Sequence, residues 1–290
     1  EQRNIYDKLM STQRPGAGVG ANEFRYGTMP PDIQTDLRKL VPDYMRCPSS
    51  PLPDFNTQTG NCAMATYTGI SGGTDIDPAN TTLYPNVQWG RPSSNQVYMN
   101  EVPGRSLSAT CNNDDGVWTS SGMLPPCEHL SYANCTDGLS NTMVVGEQSD
   151  YLQDVDVSIS AKYRGDPGWT GATGTHRGWI SGTSQRNFIS RVNNWGAQTF
   201  NINTVRYKPD LKRVIDGAAG INGGGNSAPG CSQNRRGGRG TNNPLQSPHP
   251  GGILVGMCDG SVQFVAGTVD LAILLRLAIR DDGQQVKLDN

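Results

Sequence analysis

Residues 247–265, Ser-Pro-His-Pro-Gly-Gly-Ile-Leu-Val-Gly-Met-Cys-Asp-Gly-Ser-Val-Gln-Phe-Val, constrain the fold more than any other stretch of the chain. Two apolar runs, 253–258 and 261–265, flank Asp259-Gly260. Asp-Gly between two such runs predicts a hairpin, because a type I′ turn needs positive φ at both central residues. That turn would set Cys258 opposite Ser261, Met257 opposite Val262 and Val255 opposite Phe264. The first strand is apolar on both faces, with Ile253, Val255 and Met257 on one and Leu254 and Cys258 on the other. A strand covered on both sides belongs inside a sheet. Gly251-Gly252 lets the chain turn into it, and Pro248 and Pro250 stiffen the approach.

A short helix follows the hairpin. Residues 269–279 are apolar almost all round, with Thr268 as the expected N-cap and Gly283 as the stop. Such a helix must be covered on more than one side. The hairpin covers one. The second is covered either by the chain's own core or by another subunit, and in the latter case Leu271, Leu274, Leu275 and Leu277 form the assembly interface.

Upstream, residues 62–70, 96–102, 142–146 and 155–159 read as strands. Residues 161–247 carry apolar side chains mostly singly, Trp169, Trp179 and Trp195 among them, and read as a large loop-rich insertion. Gly (36) and Pro (19) make up nearly a fifth of the 290 residues, which favours short strands and long turns over helices. The expected fold is α+β and mostly β: one domain over residues 1–290, with an antiparallel sheet, long irregular loops and a C-terminal hairpin plus short helix.

A net charge of −2 argues against general attraction to nucleic acid or to a membrane surface. No apolar run approaches the roughly 18 residues of a spanning helix. The seven cysteines show no Cys-x-x-Cys pair, so zinc spacing is lacking. Disulfides suit them better: Cys47 with Cys62, and Cys111 with Cys127 or Cys135. Cys258, inside the hairpin strand, is the expected free thiol.

Chemistry-bearing residues are sparse. An extended strand from His249 to Asp259 would span roughly 30 Å, so the two cannot form a dyad by proximity. Asp259 is explained by the turn, and His249 by a buried polar contact before the strand. Gly69-Ile70-Ser71-Gly72-Gly73 matches a nucleophile elbow, but the chain beyond it reads as loop, where an elbow must open a helix. Ser71, His176 and Asp137 form a triad on paper only, and no residue is assigned a catalytic role. Calcium is the cation that the acidic loops would suit, with Asp114, Asp115, Glu147 and Asp150 as ligands, against a plain reading of solvated acid. Arg235–Gly240 is a lone Arg/Gly run with no aromatic beside it, and reads as a cationic loop.

Five segments, in order, carry a resemblance. They are Tyr44-Met45-Arg46-Cys47-Pro48-Ser49-Ser50; Ala65-Thr66-Tyr67-Thr68-Gly69; Thr136-Asp137-Gly138-Leu139-Ser140-Asn141-Thr142 running on to Gly146-Glu147; Asn242–Ser247; and His249, nine residues, then Asp259-Gly260. Together they resemble a family of pilin-like secreted proteins, abundant in planctomycete bacteria, of unassigned biochemical function. The resemblance implies a pilin-like sheet and motif positions His249, Asp259, Gly260, Asp137, Gly138, Asn141 and Glu147 that shape the fold; members of that family begin with a prepilin leader and a long apolar helix, which the residues from Glu1 onward do not include. It also raises the case for calcium near the end of the sheet. The function it implies is that of a non-enzymatic structural subunit of an extracellular filament or surface assembly, with the chain itself as partner. The alternative is a secreted module that binds cell-surface glycans, with the three tryptophans as stacking platforms.

Overall fold

The computed structural model describes Arg3, Asp7 and residues 43–56, 62–63, 65–73, 121–125, 130–151, 202–212, 243–284, 286 and 288. Within them the strands are β1 (Phe55–Asn56), β2 (Cys62–Ala63), β3 (Tyr67–Gly73), β4 (Met143–Glu147), β5 (Ile202–Val205), β6 (Gly252–Met257) and β7 (Val262–Ala266), and the helix is α1 (Leu271–Leu277). β1 and β2 form a small antiparallel pair. The other five make one sheet in the order β5-β3-β4-β6-β7. The expected strands at 96–102 and 155–159 and the insertion's aromatic anchors lie outside the described residues.

The sheet is mixed, not wholly antiparallel. β3 pairs antiparallel with β4, β4 with β6 and β6 with β7, but β5 runs parallel to β3. Parallel neighbours cannot be joined by a tight turn. The long stretch of chain between β3 and β5 is what allows β5 to return in the same direction.

The hairpin forms where the sequence places it, with a different turn. Gly260 N–H donates to Met257 O at 3.0 Å, and Met257 N–H donates to Ser261 O at 2.8 Å. Gly260 has φ 87°, while Asp259 is not among the residues of positive φ. This is a type I turn closed by a left-handed glycine, with a three-residue loop, Cys258–Gly260. Asp259 favours it: its Oδ1 accepts from the Ser261 N–H and hydroxyl at 2.9 and 2.7 Å. The extra loop residue shifts the register by one, so that Leu254 opposes Phe264 and Val255 opposes Gln263. A one-residue shift exchanges the faces of a strand. Phe264, expected opposite Val255 on the core side, therefore joins Leu254 on the outer face. β6 is an interior strand, as its apolar content requires, yet Leu254 remains 36% exposed.

The core lies between the other face of the sheet and α1. Ile70, Met143, Val205, Ile253, Val255, Met257 and Val265 meet Leu271, Leu274, Leu275 and Leu277 there. All four leucines are buried by the chain itself, which corrects the reading of them as an assembly interface. The helix sits so close to β3 that a Cβ on Gly73 would stand 2.8 Å from Leu275 O. Its N-cap is Asp270, not Thr268: Asp270 Oδ1 accepts the Ala272 N–H at 2.8 Å.

Candidate functional site

Three segments far apart in sequence bring Cys47, Glu147 and His249 together. Each offers a ligand atom, and these atoms all lie within 4.8 Å of one another. Cys47 follows a 3₁₀ turn at Asp43–Met45, and its N–H donates to Thr66 Oγ1 at 2.6 Å, which ties the loop to the start of β3. Glu147 ends β4. Its Oε1 accepts from Ser149 Oγ at 2.6 Å and its Oε2 from the Leu254 N–H of β6 at 3.1 Å. His249 stands in the Pro-flanked approach to β6, where its N–H donates to Ser247 Oγ at 3.1 Å. Its Nε2 lies 3.6 Å from Cys47 Sγ.

The site is a largely buried polar cluster. Cys47 is 3% exposed and Glu147 is fully enclosed, while His249 is half-buried. Burial pushes the Cys47 thiol up, and the neighbouring Glu147 carboxylate adds to the shift. The Tyr67 phenol is also raised, by burial first and then by the negative charge that Cys47 and Glu147 can carry. Such a sulfur is no ready nucleophile, since attack requires a thiolate and access. Among the described residues no lysine or arginine pairs with Glu147. Burying an unpaired carboxylate costs several kcal/mol, so this cluster suits a positively charged occupant.

The other anticipated positions separate from it. Asp259 lies at the far end of β6 from His249, exposed in its turn, where the Ser261 hydrogen bonds hold its carboxyl below the usual range. The two form no dyad. Ser71 is buried within β3, its hydroxyl 2.8 Å from Thr204 Oγ1, and the chain there is strand rather than elbow. Asp150 pairs with Lys212, Oδ2 to Nζ 2.8 Å, while Glu147 faces sulfur and imidazole. That neighbourhood corrects the calcium reading of Glu147, because calcium takes oxygen ligands. Asp114, Asp115, His176, Trp169, Trp179, Trp195, Arg235–Gly240, Cys111 and Cys127 lie outside the described residues.

Cys47, Cys135 and Cys258 are free thiols. The Cys62 side chain lies outside the described residues, and the Cys47 sulfur stands 3.6 Å from His249 Nε2. Cys135 donates to Thr142 Oγ1 at 3.1 Å, and Cys258 N–H donates to Thr142 O at 2.9 Å, so the two cysteines flank one residue.

Asp137, Gly138 and Asn141 form a clamp. Asn141 Nδ2 donates to Asp137 O at 2.9 Å, closing the turn at Gly138, whose φ is 102°. Asp137 Oδ2 and Oδ1 accept the N–H groups of Asp282 and Gly283 at 2.7 and 3.0 Å. Leu139 O accepts the Asp259 N–H at 3.2 Å. The loop thus fixes both the hairpin tip and the chain beyond α1.

Sequence reasoning had each member of the cluster but not their meeting. From sequence Cys47 reads as half of a disulfide, Glu147 as a calcium ligand in an acidic loop and His249 as a buried contact. The available signal was that all three sit inside motifs of one resemblance. No helix among the described residues is long and apolar enough to cross a membrane. No curated protein and no solved structure matches the chain. A family model described as "Protein of unknown function (DUF1559)" matches residues 1–272, and the chain belongs to that family.

Proposed function

We propose that the chain is a non-enzymatic, pilin-like structural subunit, exported from the cell, that associates with its own copies in an extracellular filament or surface layer. The observation that carries this reading is the outer face of the β6–β7 hairpin. Val262 is 68% exposed, Phe264 42% and Leu254 36%, side by side on one face. Among the described residues β7 pairs only with β6, and no other described strand occupies its second edge. An open edge beside exposed apolar side chains is a template for another strand. A second copy fits it best, since two β7 strands meeting antiparallel make a self-complementary contact. The enclosure of Cys47 and Glu147 supports a structural rather than a catalytic role.

The test is the state of association. Size-exclusion chromatography with light scattering, and negative-stain microscopy of native material, should show dimers or larger assemblies. The double change Val262→Lys with Phe264→Lys should yield monomers with an unchanged circular dichroism spectrum. A wild-type chain that stays monomeric at every concentration overturns the reading.

A further inference from the structure

We propose that Cys47 Sγ, Glu147 and His249 Nε2 are the ligands of a Zn²⁺ ion that joins the loop before β3, the end of β4 and the entry to β6. The argument starts from distance. Zinc bonds of about 2.3 Å to sulfur and about 2.0–2.1 Å to nitrogen, at a tetrahedral angle, set the two ligand atoms about 3.6 Å apart. Cys47 Sγ and His249 Nε2 stand at 3.6 Å, across 202 residues of sequence. Glu147 completes a triangle whose edges are all within 4.8 Å.

Charge points the same way. Glu147 is fully enclosed, and none of the described cations pairs with it. A divalent ion would compensate the carboxylate and hold the thiol as thiolate. Donor chemistry selects the ion: thiolate with imidazole and one carboxylate suits zinc, and does not suit calcium or magnesium. Each carboxylate oxygen keeps a lone pair beyond the one engaged by Ser149 Oγ or the Leu254 N–H. Those two donors orient the carboxylate, as outer partners of metal ligands do. Three protein ligands leave one position of a tetrahedral ion for water.

The proposal is independent of self-association and is tested on the monomeric double variant as well as on the wild-type chain. After chelator treatment and dialysis, the chain is titrated with Zn²⁺ by calorimetry and with Co²⁺ by absorption. We expect about one equivalent of either, thiolate-to-cobalt charge transfer with tetrahedral d–d bands, and a melting temperature that rises on zinc addition. Cys47→Ser, Glu147→Gln and His249→Gln should each cut loading to below a tenth of an equivalent, and Cys258→Ser should leave it intact. Ser149→Ala, which keeps all three ligands, should weaken binding by about ten- to a hundredfold. His249→Gln changes a half-buried side chain, so its folding is verified by circular dichroism. No binding by the wild-type chain, loading that survives Cys47→Ser and His249→Gln, or a cobalt spectrum without thiolate charge transfer would each reduce the contact to a thiol–imidazole hydrogen bond and overturn the site.

Discussion

Asp137 Oδ2 accepts the backbone N–H of Asp282 at 2.7 Å, across 145 residues of sequence. With the Gly283 N–H on Oδ1, one buried carboxylate satisfies two donors of the chain leaving α1. Asp137→Ala removes both bonds and leaves those donors to find water. A hydrogen bond to a charged group is worth roughly 1.5–3 kcal/mol. Urea unfolding should therefore show a loss of about 3–6 kcal/mol for the two bonds together, and proteolysis should begin at the segment after α1. Asp137→Asn, which keeps one acceptor, should lose about half as much.

Asp282 gives a pH signature. Burial, and then the neighbouring Asp137 carboxylate, raise its pKa from the ordinary 3.8 to about 6. A raised carboxyl pKa means that the folded chain holds the proton more tightly than the unfolded one. Its contribution is therefore complete below about pH 4 and is lost as pH rises to about 6. Because the group is only half-buried, solvent screening limits the effect to about 1 kcal/mol. The difference in stability between the wild-type chain and Asp282→Asn, followed by urea unfolding across that window, should change by this amount and stay flat above it.

Leu274 and Val262 separate core from surface. Leu274 is fully buried under the sheet, and Leu→Ala at such sites costs about 3–5 kcal/mol. Leu274→Ala should lower stability by that much. Val262→Ala should change it by under about 0.5 kcal/mol. Chemical denaturation of both variants at low protein concentration, where the chain is monomeric, checks the pair.

Gly260→Ala tests the turn. At φ 87° any side chain is strained, although nothing lies within 4 Å of a Cβ there. The cost should be about 1 kcal/mol, from backbone strain alone. Gly260→Asn should cost less, since asparagine tolerates the left-handed region. An equal loss in the two variants, measured by thermal denaturation, would place the cost in packing instead.

Cys258 should resist alkylation. Burial, and then the adjoining Cys135, push its thiol up to about 12. At pH 8 only about one part in ten thousand is thiolate, the form that reacts. Iodoacetamide should therefore leave Cys258 unlabelled in the folded chain and label it fully in urea, as read by peptide mass spectrometry.

The elements that could be read from sequence are those whose signal is local. The hairpin rests on alternating apolar residues around Asp259-Gly260, β4 on the run after Asp137-Gly138, and α1 on a dense apolar stretch ending before Gly283. Each depends on neighbours within about ten residues, where backbone preference and side-chain period act directly. The type of turn did not follow, because Asp-Gly suits both a two-residue loop and a glycine-closed three-residue loop. That single residue moved Phe264 from the core to the surface.

What tertiary structure alone decided is which distant segments meet. β5 lies parallel to β3, Asp137 holds the chain after α1, and Cys47 faces His249 because the loop ahead of β3 and the entry to β6 come together beside the end of β4. Sequence spacing carries no record of such contacts, since closing a loop costs an entropy that rises only slowly with its length and so barely favours one distant partner over another. The residues themselves determined that a ribbon and a buried helix would form. Packing around them determined that a thiol, a carboxylate and an imidazole would share one largely buried cluster.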